Sequence, residues 1–280
     1  MLHELGDLTF SNRYETCAPG PGDHVLHFCE GRCLGRREGG QIVLPRLADY
    51  PEAPACVRYL FAIGEERYFL AEGDDVAAPA GWAYEPVRWY RELGPADARY
   101  AAAVGAQLDG WYRANRVCGR CGHALEHAPA SRELVCPACA NVVYPRINPG
   151  VIVGVTSGSG PDARIVLTRY AGRTTALWAL VAGYSEVGET LEQTVAREVM
   201  EEVGLAVRRI SYYKSQPWPY SGTLLAGFWA EVEGDPTLVV DHAELKEARW
   251  FRRDEVPLER VGDETSMTGE MIERFRLGLA

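Results

Sequence analysis

The stretch that decides the reading runs from Gly183 to Leu205, GYSEVGETLEQTVAREVMEEVGL. From Thr190 onward it has the grammar of a helix. Thr190 and Gln193 form a capping-box pair, Leu191, Val195 and Val199 recur every four residues, and Gly204 suits a left-handed C-terminal cap. Glu198, Glu201 and Glu202 stand at i, i+3 and i+4 and therefore share one helical face. Val199, Val203, Ala196 and Met200 fall on another face, expected to bury against the core. Carboxylates crowded in this way repel unless neutralised, and hard divalent cations with oxygen ligands do that well. Glu189 precedes the helix and can reach back to the same place, while Arg197, four residues before Glu201, can hold a carboxylate by a forked ion pair. A solvated acidic face is the plainer reading of a glutamate run. The coincidence of glycines, Arg197, cap and carboxylates favours a metal site.

The spacing G-x5-E-x7-R-E-V-M-E-E-x-G-L resembles the Nudix box throughout. That resemblance implies an α/β Nudix fold, an α/β/α sandwich around a mixed sheet, and cleavage of a nucleoside diphosphate linked to another group. Magnesium or manganese would screen the diphosphate and activate water. Glu198, Glu201 and Glu202 would be metal ligands and one of the last two the general base, which remains unassigned. Glu189 and Arg197 complete the catalytic set.

Upstream, Cys118-x2-Cys121 and Cys136-x2-Cys139 are fourteen residues apart, a spacing that suits four thiolates around one structural zinc ion. Nothing resembles a secretory signal, so disulfides are not expected, and the expected compartment is the cytoplasm. His123 and His127 read as solvated loop histidines, and Cys17, Cys29, Cys33 and Cys56 as idle or buried thiols.

Downstream, SQPWPY spans Ser215 to Tyr220. A zinc ribbon before a Nudix domain, Tyr144-Pro145-Arg146 after the last cysteine, and SQPWP together resemble the zinc-ribbon NADH pyrophosphatase family, whose members also remove NAD caps from RNA. The resemblance implies NAD(H), and possibly NAD-capped RNA, as substrate, nicotinamide mononucleotide and AMP as products, and a homodimer. It implies that Tyr184 stacks on nicotinamide, a partner subunit lends Tyr144, and Ala182 (by its carbonyl) and Glu244 are further magnesium or manganese ligands. Gln216, Pro217, Trp218, Pro219, Tyr220, Ser221, Gly222 and Thr223 would form a loop lining the substrate pocket, with Thr268 near it. Two departures stand out: the family usually has phenylalanine at Tyr184, and after SQPWP it continues with phenylalanine, proline, glutamine and serine rather than Tyr220, Ser221, Gly222 and Thr223.

At 280 residues the chain can hold two domains and a small module: a strand-rich support or dimerisation domain over 1–112, a zinc ribbon over 113–145 and a Nudix domain over 146–280. No run approaches a membrane span, and the net charge of −10 argues against a surface that grips nucleic acid everywhere. Arg113, Arg116, Arg120 and Arg132 cluster by the ribbon, where a solvated face is the plainer reading than an RNA contact. Val57–Ile63 and Tyr68–Leu70 are expected as a hairpin, Ala96 to about Asn115 as a helix, Gly150–Thr156 and Ile165–Arg169 as paired strands, Leu224–Val232 and Arg249–Phe251 as strands, and Met267–Leu277 as a closing helix. Two alternatives stay open. One is a hydrolase of ADP-ribose or dinucleoside polyphosphates, the other a nucleotide sensor or RNA-binding regulator without turnover.

Overall fold

The computed structural model describes residues 1–73, 76–172, 177–260 and 263–280. They divide into two compact units, one of Leu2–Arg146 with Pro219–Gly222, the other of Met1, Ile147–Trp218 and Thr223–Ala280.

The first unit opens with β1 (Phe10–Ser11), β2 (His24–Leu26), β3 (Phe28–Cys29), β4 (Arg32–Glu38), β5 (Gln41–Val43), β6 (Val57–Ile63), β7 (Glu66–Ala71) and β8 (Ala83–Pro86). These form two small sheets, one ordered β1-β6-β7-β2, the other β3-β4-β5 with β8 also on β4. The β6–β7 hairpin is the expected one, turned at Gly64, whose φ of 59° lies where glycine pays no Cβ penalty. Helices α1 (Val87–Leu93) and α2 (Ala96–Ala114) follow. The second matches the expected span; the first does not figure in the sequence reading. Alanines of α2 pack tightly, and a Cβ on Gly105 would strike Leu26 and Phe28. Next comes a three-stranded ribbon of β9 (Glu126–His127), β10 (Leu134–Val135) and β11 (Val142–Val143).

Specific bonds tie the ribbon to the N-terminal sheets. Arg132 donates to Asn12 at 2.6 Å and to the Leu60 carbonyl, and its guanidinium lies over the Tyr14 ring. Thr16 donates to the Pro129 carbonyl at 2.9 Å. Arg113 pairs with Asp109 and donates to the Phe28 carbonyl. His127 stands half-buried against Tyr112 and 3.7 Å from Glu72. The solvated reading is therefore corrected for Arg113, Arg132 and His127: the two arginines serve the buried Phe28 and Leu60 carbonyls, and His127 packs on Tyr112 beside Glu72.

The second unit contains β12 (Asn148–Ser157), β13 (Arg164–Tyr170), β14 (Val181–Tyr184), α3 (Leu191–Val203), β15 (Val207–Trp218), β16 (Thr223–Val232), β17 (Leu245–Arg252) and α4 (Met267–Arg276). Its sheet is ordered β15-β16-β12-β13-β17, with β14 on β12. The β12–β16 pair is parallel and the rest antiparallel, so the sheet is mixed. Strand alternation sends side chains to two cores. Val151, Val153 and Val155 face Val195, Val199 and Val203 of α3, whereas Ile152 faces the opposite core with Met267, Met271, Ile272 and Phe275 of α4. This is the expected α/β/α sandwich. Burying each α3 valine contributes roughly 1.5–3 kcal/mol.

β15 corrects the expectation of a loop at Gln216–Thr223. Gln216, Pro217 and Trp218 continue a strand at the sheet edge, where proline is tolerated, and Pro219–Ser221 is a 3-10 turn. Gln216 is 0% exposed. Its amide donates to the Thr265 carbonyl at 2.9 Å and accepts from the Met267 N–H at 2.8 Å, holding the start of α4.

Candidate active site on the carboxylate helix

Helix α3 begins and ends as its sequence requires. Thr190 Oγ1 accepts from the Gln193 N–H, and the Gln193 side chain accepts from the Thr190 N–H. Gly204 takes φ 70°, and its N–H reaches the Met200 carbonyl at 3.0 Å. The buried face is made by Thr194, Val195, Glu198, Val199, Glu202 and Val203. Ala196 and Met200 are exposed, a correction to the sequence reading. At 100° per residue the valine stripe leans toward the glutamates, leaving Ala196 and Met200 on the far side.

Two glutamates thus lie where burial is costly. Glu198 is 9% and Glu202 2% exposed. Burial, reinforced by Glu201 and Glu244, raises the proton affinity of Glu198 above the usual carboxylate range, against the pull of Arg197. The carboxylate rests directly on Gly183 of β14, where any Cβ would fall inside it. That contact explains a glycine opening the motif.

Arg197 gathers the rest. It donates to Glu189 at 2.6 Å, to Glu198 at 2.8 Å, to Glu201 at 2.9 Å and to the Tyr184 carbonyl at 2.9 Å. Arg197, a backbone N–H at Glu186, and Thr194 hold Glu189 down to about 2. Thr194 is a site residue the sequence reading missed. Its hydroxyl donates to Glu189 at 2.9 Å, and its place one turn before Glu198 on the buried face is the signal that could have found it.

Around this cluster, Ala182 stands opposite Ile152 in the β12–β14 pair, and Glu244 is exposed just before β17. Tyr184 is 52% exposed, and its hydroxyl lies 3.2 Å from Thr223 Oγ1. The hydroxyl that departs from the family pattern therefore has a partner. Thr268 lies half-buried in the first turn of α4. In the other unit Tyr144 is 66% exposed, and Tyr220 is held near Arg91 and Arg99, its phenol pushed up to about 12 by burial. Pro219 is buried, Ser221 exposed and Gly222 half-buried.

The four ribbon cysteines converge, with all sulfurs within 4.8 Å of one another. Among the described residues they are the group whose ligand atoms already converge on one point. The Gly122 and Ala140 N–H groups each reach back to the first cysteine carbonyl of their knuckle at 2.9 Å. Backbone donors, first that of Arg120, draw Cys118 down to about 6, whereas, against a backbone donor at His123, the neighbouring cysteines push Cys121 up to about 12. Cys29 and Cys33 are unbridged, the first exposed and the second buried.

Residues 147–271 match the NUDIX domain, and residues 113–144 match the NADH pyrophosphatase zinc ribbon domain. Residues 147–271 are a Nudix domain. The chain is similar to the NAD-capped RNA hydrolase NudC of Enterobacter sp. (strain 638), 42% identical over 56% of this chain and 59% of that protein. It is also similar to the NAD-capped RNA hydrolase NudC of Salmonella typhi, 40% identical over 56% of this chain and 59% of that protein. The chain thus spans about 59% of the length of these curated relatives. A solved Nudix hydrolase from Nitrosomonas europaea is 25% identical, covering 58% of this chain and 90% of its own, with a TM-score of 0.46. No described helix is long and apolar enough to cross a membrane.

Proposed function

We propose that this protein hydrolyses the diphosphate of NAD(H) to nicotinamide mononucleotide and AMP, and removes NAD caps from RNA 5′ ends, as a cytoplasmic homodimer. In this reading residues 1–112 are a support or dimerisation domain, 113–145 a zinc ribbon and 146–280 the hydrolase. The observation that carries it is the gathering of Glu189, Glu198 and Glu201 on Arg197, whose fourth partner is the carbonyl of the exposed aromatic Tyr184. An acidic cluster and a flat ring on one strand-to-helix turn match a substrate with a diphosphate next to a heterocycle.

The donor set fits a hard dication. Glu198, Glu201, Glu202, Glu244 and the Ala182 carbonyl offer oxygens only, and two of the carboxylates are buried, where a dication offsets the cost of charge. Magnesium or manganese there would screen the diphosphate and lower the pKa of the attacking water. Arg197 keeps Glu189 ionised and sets the angle of Glu198 and Glu201. Tyr184 orients the heterocycle by its ring face. The four cysteines would hold zinc in a closed tetrahedral site with no open position for chemistry.

The test is a mass-spectrometric assay of NADH, NAD-capped RNA and ADP-ribose with magnesium or manganese. Nicotinamide mononucleotide should appear from the first two, and Glu202→Gln should lower kcat by about 100-fold or more with the fold retained. Cleavage of ADP-ribose alone would keep the diphosphate chemistry and move the substrate. Absence of metal-dependent cleavage would make the protein a nucleotide sensor or RNA-binding regulator.

A further inference from the structure

Three strands meet with a gap between them on the sheet face that looks away from the carboxylate helix. Tyr184 on β14 stands opposite Gly150 of β12, and on the other side of β12 Thr223 of β16 stands opposite Asn148. The side chains of Tyr184 and Thr223 approach each other over the bare backbone of Gly150, and their hydroxyls lie 3.2 Å apart. A Cβ on Gly150 would sit 3.1 Å from the Gly183 carbonyl, 3.2 Å from Thr223 Cγ2 and 3.6 Å from Tyr184 Cδ1. Glycine in a run of valines and isoleucine weakens a strand, so its presence is explained by the two side chains that close over it.

From this arrangement we infer that Thr223 is a positioning residue for the Tyr184 ring, and that the pair determines how strongly the protein discriminates in favour of substrates with a flat heterocycle beyond the diphosphate. Thr223 is 4% exposed, so the methyl of this β-branched side chain is packed and its hydroxyl points in a fixed direction. Tyr184 remains 52% exposed, leaving ring surface for a ligand. Its backbone is fixed from the other end, since Arg197 donates to its carbonyl at 2.9 Å while holding the three carboxylates. Tyr184 is therefore tied to the acidic cluster through its carbonyl and to β16 through its hydroxyl. A phenylalanine at 184 would keep only the first tie. Holding the ring before a ligand arrives removes part of the ordering cost of stacking, so the benefit falls on substrates that present a ring and not on those that end in a sugar.

The inference rests on the proposed dinucleotide hydrolysis, and its test separates the two. The ratio of kcat/KM for NADH to that for ADP-ribose is measured for the wild type, Thr223→Val, Tyr184→Phe and the double variant, with Thr223→Ser as the conservative control. Each single change should lower the ratio about 3- to 10-fold, the size of one hydrogen bond, mainly through KM for NADH. The double variant should fall no further than either single one, and Thr223→Ser should recover most of the ratio. Additive losses, equal losses on both substrates, or an unchanged ratio would overturn the positioning role. Independently of turnover, ring flipping of Tyr184 carrying a ¹³C label should be slower in the wild type than in Thr223→Val, and equal flipping would also sink the idea. If the wild type leaves NADH intact, the proposed activity falls while the ring measurement still decides the role of Thr223.

Discussion

Gly183 and Glu198 form the tightest pairing in the site, and they make a direct prediction. Because a methyl group at 183 would occupy the space of the Glu198 carboxylate, Gly183→Ala should displace that side chain and cost about 1–3 kcal/mol of stability, with a larger loss of turnover. Urea melts beside rate measurements would check it, and a fully active alanine variant would show that the carboxylate is placed by something else. Glu189 gives a pH signature. Its folded-state pKa lies at about 2 against an ordinary 4.5, so the stability it contributes through Arg197 is fully present above 4.5 and is lost as pH falls through about 2. The difference in urea midpoint between wild type and Glu189→Gln should be steady around pH 7 and shrink between 4.5 and 2. A difference that grew on acidification would have the wrong sign for this pair.

Among elements, α3 is the one whose ends carry most of its definition. Thr190→Ala removes the acceptor for the Gln193 N–H and should cost about 1 kcal/mol, read as a lower urea midpoint with an unchanged slope. The same helix shows what a sequence can disclose. Its caps are local, so Thr190, Gln193 and Gly204 could be read directly. Which residues flank the valine stripe depends on the tilt of the helix against the sheet, a tertiary property, and for that reason Ala196 and Met200 were placed on the wrong side. Edge strand β15 is hard to see in the sequence: Arg208, Arg209, Lys214 and Pro217 break its apolar pattern, because half an edge strand meets water. Gln216 resembles a binding residue in its motif, and only its two bonds at the start of α4 reveal a structural task. Gly150 carried a legible hint, being a glycine in a β-branched run, but its meaning required both neighbouring strands.

For the molecule as a whole, the ribbon is joined to the N-terminal sheets by Arg132, Thr16 and His127 within one unit. Loss of the cysteine site should therefore loosen more than thirty-odd residues of ribbon. Cys118→Ser should lower bound zinc, measured by mass spectrometry, and increase hydrogen exchange at β6 and β7 as well as at β9 and β10. Protection retained in β6 and β7 alongside lost zinc would mean that the ribbon unfolds alone.

The parallel pairing of β12 with β16 sets an order in time. Asn148 must wait for Thr223, and Thr156 for Glu231, while β13, β14, α3 and β15 emerge between them. Closing so long a loop is slow, and during synthesis it cannot begin before the segment is made. The cysteine knuckles and their neighbouring sheets are complete before the ribosome reaches β12, so Leu2–Arg146 can begin to fold while the carboxylate helix still has no sheet to pack against, and Pro219–Gly222 join that unit later.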